Sequence, residues 1–328
     1  FSEAKFAKLI ADKYQTDHHE FLLKPEDFLN LLPEAMNALD HPSGDGPNSY
    51  IVSKITRQAG VTMALSGLGG DELFAGYPVF KRTELLHQKS WLWKLPLPLR
   101  HLLGKLITTL KKDTASIKMQ QLLLSPNASL QYSFPVSRQI SNTQQLAAFI
   151  EEKFNGIDAV KSIIEELNKS TVRLPLFSQV SAAEISSYMQ NVLLRDTDQM
   201  SMAVALEVRV PFLDYKLVEY VMGVKDEYKN PVYPKKLLVD SLGDLLPDEV
   251  VHRKKMGFVF PWERWLKKEL STFCGDRIYA LANRGFMNKE ALTNRWQSFN
   301  EGKPGVRWLD MWLCVVLEHW LEKNNIEY

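Results

Sequence analysis

Hydrophobic positions in the first part of the chain alternate between helical and strand-like segments. Apolar residues three and four apart predict helices over residues 2–14, 28–39 and 50–59, the last ending at Gly60. Shorter segments predict strands over residues 18–23 and 61–65, the second of them buried. A glycine-rich turn follows residue 65, and another helix starts at Leu73. This order is typical of a parallel α/β sheet with crossover helices.

Beyond about Lys81 the pattern is mainly helical, with a weak strand signal near residues 207–212. The final segment, residues 307–323, places six large apolar side chains at helical spacing: Trp308, Met311, Trp312, Val315, Val316 and Trp320. The sequence therefore predicts an α/β part over residues 1–85 and a mainly helical remainder over residues 86–328.

Composition narrows the class of protein. The 328 residues are 45% hydrophobic and 24% charged, which is enough apolar content for a large folded core. Forty basic and thirty-nine acidic residues leave a net charge of +1, which favours neither nucleic acid nor a membrane as partner. Two cysteines exclude a disulfide framework and a four-cysteine zinc site. We expect a cytoplasmic protein that acts on small molecules.

The first residues indicate that the chain is part of a longer polypeptide. It begins at Phe1 rather than Met, directly inside a helical pattern. We expect upstream elements to complete the parallel sheet. Apolar sheet surface would then be exposed in this chain, and self-association into a homo-oligomer is one expectation.

The turn after residue 65 carries the strongest chemical signal. Gly67, Gly69 and Gly70 follow a strand, so the backbone can approach a ligand closely at the edge where α/β sheets bind ligands. The amides of the next helix suit a phosphate or a carboxylate. Ser66 adds a hydroxyl, and Asp71 adds a carboxylate able to hold magnesium beside phosphates. Spacing alone leaves open a plain tight turn.

The letters of this turn, SGLGGDELFAGY at residues 66–77, resemble the signature S-G-x-G-x-D-E-L-F-x-G-Y of the asparagine synthetase family. Three further family segments follow the same order along the chain as in the family. They are the D-x-P segment at residues 40–42, the S-M-A … E-V-R-V-P-F-L-D block at residues 201–203 and 207–214, and the R-x-K-x-G-F block with its later proline and tryptophan at residues 253–258, 261 and 265.

The resemblance implies an incomplete adenine-nucleotide α-hydrolase-like parallel-sheet domain followed by a largely helical region. It also implies a two-step ligase reaction. ATP adenylates a small-molecule carboxylate and releases pyrophosphate, and ammonia then attacks the acyl-adenylate to give an amide and AMP. The first step brings an anion against a polyanion, so cations and preorganised donors around the phosphates should dominate catalysis.

The resemblance assigns a role to each residue of this chain that matches a position of the family motifs. The resemblance implies a nucleotide-binding turn and names Lys255 and Asp71 as catalytic, with Asp71 also holding magnesium with pyrophosphate. The nucleotide-binding residues would be Ser66, Gly67, Leu68, Gly69 and Gly70. Candidate substrate contacts are Arg209, Asp196 and Asp198, although an Arg209–Glu207 ion pair buried in the architecture explains Arg209 equally well. His18 and His19 have no ligand-spaced partners and are interpreted as structural or solvent-facing.

The sequence departs from the family pattern in two ways. The phosphate loop S-G-G-x-D-S is not found in these residues, and neither is the N-terminal glutaminase domain, which would be the partner within the same polypeptide. We therefore expect this chain alone to be inactive. Leu68 stands where asparagine synthetases carry a glutamate thought to act as base in the ammonia step, and leucine can take no proton.

Three functions follow from these observations. The first is ATP-dependent amidation of aspartate to asparagine with glutamine-derived ammonia. The second keeps the chemistry but changes the acceptor, for example to a sugar uronate, and Leu68 is its support in the sequence. The third is a non-catalytic binding module, which would not need to keep Asp71, Lys255 and the glycine-rich turn together.

Overall fold

The computed structural model describes residues 3–111, 113–141, 143–151, 159–253 and 260–327. Within these ranges the chain is mostly helical, and its one sheet has two parallel strands. The α-helices in chain order are α1 Ala4–Tyr14, α2 Pro25–Ala38, α3 Gly46–Gln58, α4 Gly70–Leu73, α5 Pro78–Gln88, α6 Leu97–Leu110, α7 Thr114–Leu124, α8 Leu130–Arg138, α9 Thr143–Phe149, α10 Ala159–Thr171, α11 Leu176–Glu184, α12 Arg195–Met202, α13 Tyr215–Gly223, α14 Asp226–Lys229, α15 Lys236–Leu242, α16 Asp248–Val251, α17 Trp262–Lys267, α18 Ser271–Ala282, α19 Lys289–Asn300 and α20 Trp308–Lys323.

Shorter helical types join several of these helices. A ten-residue π-helix, Ile185–Leu194, continues α11 directly into α12. The 3₁₀ segments are Ser90–Lys94, Pro211–Leu213 and Gly243–Leu245. Long π-helical stretches are rare in proteins, and π geometry often occurs beside functional sites. The π-helix connects α11 and α12, and these two helices contact the two loops of the candidate active site.

The sheet joins two distant parts of the sequence. Strand β1, Met63–Leu65, pairs in parallel with β2, Glu207–Arg209, in the register Met63 to Glu207 and Leu65 to Arg209. The amide of Ser66 extends the ladder by donating to the carbonyl of Arg209 at 2.8 Å. Because the strands are parallel, the segments that follow them leave the sheet at the same edge. The glycine-rich turn and residues 210–214 are therefore neighbours.

The largest core lies at the C-terminal end of the chain. It packs α2 and α3 against α17 to α20, and its centre is an aromatic cluster. Trp262 lies 4.6 Å from Trp312 between ring centroids, and Phe28 stacks on Trp265 at 5.3 Å. The predicted helix over residues 307–323 is confirmed as α20, and Met311, Trp312, Val315 and Val316 are fully buried.

Two strand predictions need correction. Residues 18–23 form no strand; they are irregular and largely exposed, because no other strand in the described part of the chain pairs with them. Strand β1 exists but is not buried, since Leu65 is 70% exposed and Met63 42%. Its apolar composition indicated burial, whereas only β2 covers it among the described residues. His19 is solvent-facing as expected and lies 3.3 Å from Asp17.

Other expectations concern cysteines and membranes. Cys274 and Cys314 are both free thiols, which agrees with the absence of a disulfide framework. Burial raises the pKa of both thiols to about 12, and Cys274 belongs to the main core while Cys314 packs against it. Among the described helices, none combines the length and the apolar character needed to cross a bilayer.

Candidate active site

The glycine-rich turn is built from backbone contacts that only certain residues permit. The amide of Leu68 donates to the Ser66 hydroxyl at 3.3 Å, and the amide of Gly70 donates to the carbonyl of Gly67 at 3.2 Å. Gly69 has a φ of +91°, and a side chain there would begin 2.6 Å from the Leu213 side chain. Glycine is therefore required at position 69 on two grounds, backbone conformation and space.

Helix α4 begins inside the turn and is only four residues long. The sequence predicted a helix start at Leu73, whereas α4 spans Gly70 to Leu73 and α5 follows from Pro78. Since so short a helix carries a small dipole, an anion at this turn would depend on individual amides and on cations more than on a macrodipole. Positively charged side chains near the turn are therefore of particular interest.

Asp71 projects from α4 toward such a cation. Its Oδ2 atom lies 3.3 Å from Nζ of Lys235, and the two side chains are 20% and 33% exposed. The carbonyl of Asp71 accepts the amide of Gly76 at 2.8 Å, which closes the turn. A Cβ on Gly76 would lie 2.0 Å from Oδ1 of Asp71 and 2.9 Å from its Cα. Because Gly76 has no side chain, the Asp71 carboxylate can occupy the space next to it.

Replacing Gly76 with alanine is expected to destabilise the fold by about 1–3 kcal/mol, because the added methyl group overlaps both the carboxylate and the backbone of Asp71. Gly223→Ala is the matched control, since a Cβ at Gly223 meets no atom within 4 Å. Denaturant unfolding measures both variants. Equal stability of the two would show that the turn relaxes freely and that Gly76 does not define the position of Asp71.

A buried charge cluster fixes the exit of the turn. Glu72 is fully buried, and its Oε1 accepts a hydrogen bond from the Tyr77 hydroxyl at 2.8 Å. Arg138 lies over the rings of Tyr77 and Tyr188, and its Nε donates to Oε1 of buried Glu184 at 2.9 Å. Burial, reinforced by the Glu72 carboxylate, raises the pKa of the Tyr77 phenol. The cluster ties the turn to α8 and α11.

Asp196 holds a second loop in place. The Ser43 hydroxyl donates to its Oδ2 at 2.5 Å, and Nε2 of His41 lies 3.2 Å from its Oδ1. Burial raises the pKa of the Asp196 carboxyl, while the hydrogen bond from Ser43 and the charge of His41 oppose that shift. The predicted loop over residues 40–49 is present as far as Asp45, where α3 follows. Asp196 thus anchors residues 40–45, called the D-H-P loop below.

The other candidate substrate contacts occupy exposed positions. Asp198 lies on the exposed face of α12. Arg209 pairs with Glu207 at 2.7 Å, as one interpretation predicted, but the pair is exposed, with 61% of the arginine side chain accessible. Their place at β2 explains the exposure, because β2 has only β1 as a neighbour in the described residues. A buried architectural ion pair at Arg209 is therefore wrong.

Lys255 lies outside the described residues, as do Gly257 and Phe258 of the same motif. The end of that motif is described. Pro261 precedes α17, and Trp265 is buried in the aromatic cluster of the main core. The role of Lys255 therefore stays a prediction.

The donor set of the turn fits magnesium together with phosphates. No group of three or more His, Cys, Asp and Glu side chains in the described residues is placed to hold a metal. Asp71 offers a hard carboxylate, and its side chain is partly exposed where Oδ2 faces Lys235. Magnesium commonly binds through one or two carboxylates, with phosphate oxygens and water as the remaining ligands. Asp71 would hold the ion in this way.

Comparison with known proteins decides the family. The model of the family described as asparagine synthase matches residues 1–322. The chain belongs to the asparagine synthase family. Its fold agrees at the coarse level, since a mostly helical chain contains a small parallel sheet with the family's signature turn at one edge.

The individual proteins that the chain resembles are distant relatives. The chain is 27% identical over 296 residues to asparagine synthetase [glutamine-hydrolyzing] 1 of Bacillus subtilis, covering 88% of the chain and 45% of that protein. It is 26% identical over 249 residues to asparagine synthetase [glutamine-hydrolyzing] 3 of the same bacterium, covering 75% and 34%. Amidase chyE of Penicillium rubens is 24% identical over 283 residues, covering 80% and 42%. The chain spans less than half the length of these relatives.

Several residues of the site were not found from the sequence. Lys235 and Arg138 reach the turn from distant segments, Glu184 holds Arg138, and none of the three stands in a recognisable motif. Glu72 was part of the quoted signature but had no role assigned to it. The one feature that could have indicated Arg138 and Glu184 is a charged residue on an otherwise apolar helix face, since such a residue needs a partner when it is buried. The sequence does not say that these two residues are buried.

Proposed function

We propose that this chain is the synthetase part of an ATP-dependent ligase that converts a carboxylate into an amide through an acyl-adenylate. The observation that carries the proposal is the placement of Asp71. It stands beside Lys235 in a glycine-rich turn at the carboxyl edge of a parallel sheet, in a chain of the asparagine synthase family. That edge is where open α/β sheets bind nucleotides.

The two strands are proposed to belong to an adenine-nucleotide α-hydrolase-like sheet. Residues 1–85 would form its nucleotide-binding part, and residues 86–328 would form the mainly helical remainder. Strand β2 comes from the second of these segments and pairs with β1 from the first, so both segments contribute to the sheet. The parallel pairing and the ligand-binding turn at its end support this assignment.

The residues of the turn would act on the phosphates. An oxygen of the substrate carboxylate attacks the α-phosphorus of ATP, and the bond to the bridging oxygen breaks to release pyrophosphate. Ser66 and the amides of Gly67 to Gly70 would orient the phosphate chain. Lys255 would neutralise charge on the phosphates and the adenylate. A magnesium ion held by Asp71 would neutralise charge on the departing pyrophosphate.

Ammonia would complete the reaction. Its nitrogen attacks the acyl carbon, AMP leaves, and a base removes a proton from the nitrogen. The names of the Bacillus relatives include glutamine hydrolysis. We therefore propose that a glutaminase domain of the same polypeptide supplies the ammonia, and that aspartate is the acceptor.

The test uses the complete gene product that contains this chain. We expect exchange of labelled pyrophosphate into ATP that depends on magnesium and on an added carboxylic acid, and AMP rather than ADP as the nucleotide product. A panel of acids that includes aspartate and sugar uronates identifies the acceptor. Formation of ADP, or exchange that ignores every acid, would remove the acyl-adenylate from the proposal.

A different acceptor is the second candidate function. Leu68 occupies the variable position of the signature at which asparagine synthetases carry a glutamate, and the Penicillium relative is named an amidase rather than an asparagine synthetase. The adenylation chemistry would remain, with a carboxylate other than that of aspartate, such as a uronate. The same panel of acids distinguishes this candidate from the first.

Leu68→Glu is expected to raise asparagine formation by about a hundredfold if aspartate is the acceptor, because a positioned general base contributes about that much. Acid-dependent pyrophosphate exchange should stay unchanged, since adenylation precedes the proton transfer. Leu68→Gln has a similar size and cannot accept the proton, so it serves as the control. An equal effect of both substitutions on amide formation would place the base elsewhere.

A further inference from the structure

The segment from Leu85 to Lys112 carries formal charge of one sign only. It contains six lysines and arginines and no aspartate or glutamate. The whole chain has a net charge of +1, so the remainder of the chain is net negative. Four lysines in the described part of this segment are exposed, and none of them forms an ion pair there: Lys89, Lys94, Lys105 and Lys111. An electrostatic partner of this segment would therefore be anionic.

A row of exposed leucines runs along helix α6 in the same segment. The four leucines are spaced three or four residues apart, so they share one face of the helix, and they are called the leucine row below: Leu99, Leu102, Leu106 and Leu110. Each of them is between 42% and 82% exposed. Helical geometry places two further exposed side chains, His101 and Lys105, along one side of the row. The exposed face of α6 is thus amphipathic.

The opposite face of α6 is fixed to α7 and to the residues that follow it. Arg100 is buried, and its Nη1 donates to the carbonyls of Leu123 and Ser125, each at 2.8 Å. Gly104 is also buried, and a Cβ at that position would lie 2.9 Å from Cγ of Gln120. The two helices therefore pack closely. Since α6 is already folded and held in place, binding through the leucine row would not have to order it.

An exposed tryptophan precedes α6. Trp91 belongs to the 3₁₀ segment Ser90–Lys94 and is exposed. The neighbouring Trp93 donates from its indole Nε1 to Oγ of Ser125 at 3.2 Å, and the carbonyl of the same serine accepts from Arg100. The 3₁₀ segment and α6 are therefore held at one point of the chain. Tryptophan favours the boundary between water and lipid, because its ring is apolar and its N–H can still bond to polar groups.

We propose that α6 and the 3₁₀ segment before it form a docking surface for a lipid bilayer with anionic headgroups. The leucine row would enter the boundary between headgroups and acyl chains, with α6 lying in the plane of the membrane. The exposed lysines would contact the headgroup phosphates. A protein partner fits this surface less well, since lysine is depleted from protein–protein interfaces. The surface shares no residue with the candidate active site, so the proposed amidation does not depend on it.

The first test measures binding of the complete gene product to vesicles by cosedimentation. Vesicles of equal parts phosphatidylcholine and phosphatidylglycerol should bind at least about tenfold more tightly than phosphatidylcholine alone, because several lysines lie at the surface. Added salt should weaken the first interaction and leave the second nearly unchanged. Absence of binding to the anionic vesicles overturns the proposal.

Leu102→Gln combined with Leu106→Gln is expected to weaken binding to the anionic vesicles at least about tenfold, because two apolar side chains are lost from the buried face. Both positions are exposed, so the double variant should stay folded, which thermal unfolding checks. The matched control is Leu22→Gln combined with Leu245→Gln, since these leucines are also exposed but lie outside the docking surface. Equal effects of the two double variants would overturn the proposal.

Lys105→Gln is expected to weaken binding to the anionic vesicles about fivefold and to leave binding to phosphatidylcholine unchanged, because one cation near the headgroups is lost. Lys169→Gln is the control, since Lys169 is exposed on another helix and pairs with Glu166. Light scattering tests the alternative of a protein partner. If the leucine variant converts an oligomer into a monomer while the unmodified protein ignores both kinds of vesicle, the surface is an interface between copies and the lipid proposal is wrong.

Discussion

Asp71→Asn is expected to lower acid-dependent pyrophosphate exchange by about a thousandfold in the complete gene product. Asparagine has the same shape, so the space that Gly76 leaves is still filled and the turn should still close. The negative charge is lost, however, and with it the proposed ligand for magnesium and the ion-pair partner of Lys235. The nucleotide would then lack charge neutralisation at the point where pyrophosphate leaves.

The control for this variant is Asp276→Asn, on the exposed face of α18 and outside the proposed site. It removes the same charge and should leave the exchange rate unchanged. Thermal unfolding should show both variants folded. Exchange within about tenfold of the unmodified protein in Asp71→Asn would exclude Asp71 as the metal ligand, whatever the acceptor.

Trp312→Ala is expected to cost about 3–5 kcal/mol in the free energy of unfolding. The side chain is fully buried at the centre of the aromatic cluster, 4.6 Å from the ring of Trp262. Its indole N–H also donates to the carbonyl of Gly44 at 3.0 Å. The substitution therefore opens a cavity in the main core and releases the loop that Asp196 holds from the other side.

Trp312→Phe separates these two effects. It keeps most of the ring packing but leaves the Gly44 carbonyl without its donor, so a loss of about 1–2 kcal/mol is expected. Denaturant unfolding gives both values. A loss below about 1 kcal/mol in Trp312→Ala would mean that the cluster repacks around the gap and that the core does not depend on this residue.

Under the proposed reaction, the contacts between the main core and the D-H-P loop would position a loop of the active site. The D-H-P loop is attached to α20 through Gly44 and to α12 through Ser43 and Asp196. Both helices are anchored by the C-terminal core, because Met200 of α12 and Trp312 of α20 belong to it. The helical remainder of the chain thus holds a loop that precedes the glycine-rich turn in sequence.

The local sequence was sufficient wherever one segment determines its own structure. The apolar spacing in residues 307–323 predicted α20, and the same criterion predicted α2 and α3 within a few residues. The letters of residues 66–77 identified the family, which the comparison confirmed. These features depend on periodicity and on glycine conformations, both of which are local properties of the chain.

Tertiary structure alone decided which distant segments meet. The pairing of β1 with β2, the contact of Lys235 with Asp71 and the Arg138–Glu184 pair each join residues far apart in sequence. Local propensity carries no information about such partners, and the burial of β1 was mispredicted for the same reason. An apolar strand is buried only if other elements cover it, and a charged residue acts at a site only if the fold brings it there. The sequence by itself therefore determined the family and the turn, while the fold determined which charges surround that turn.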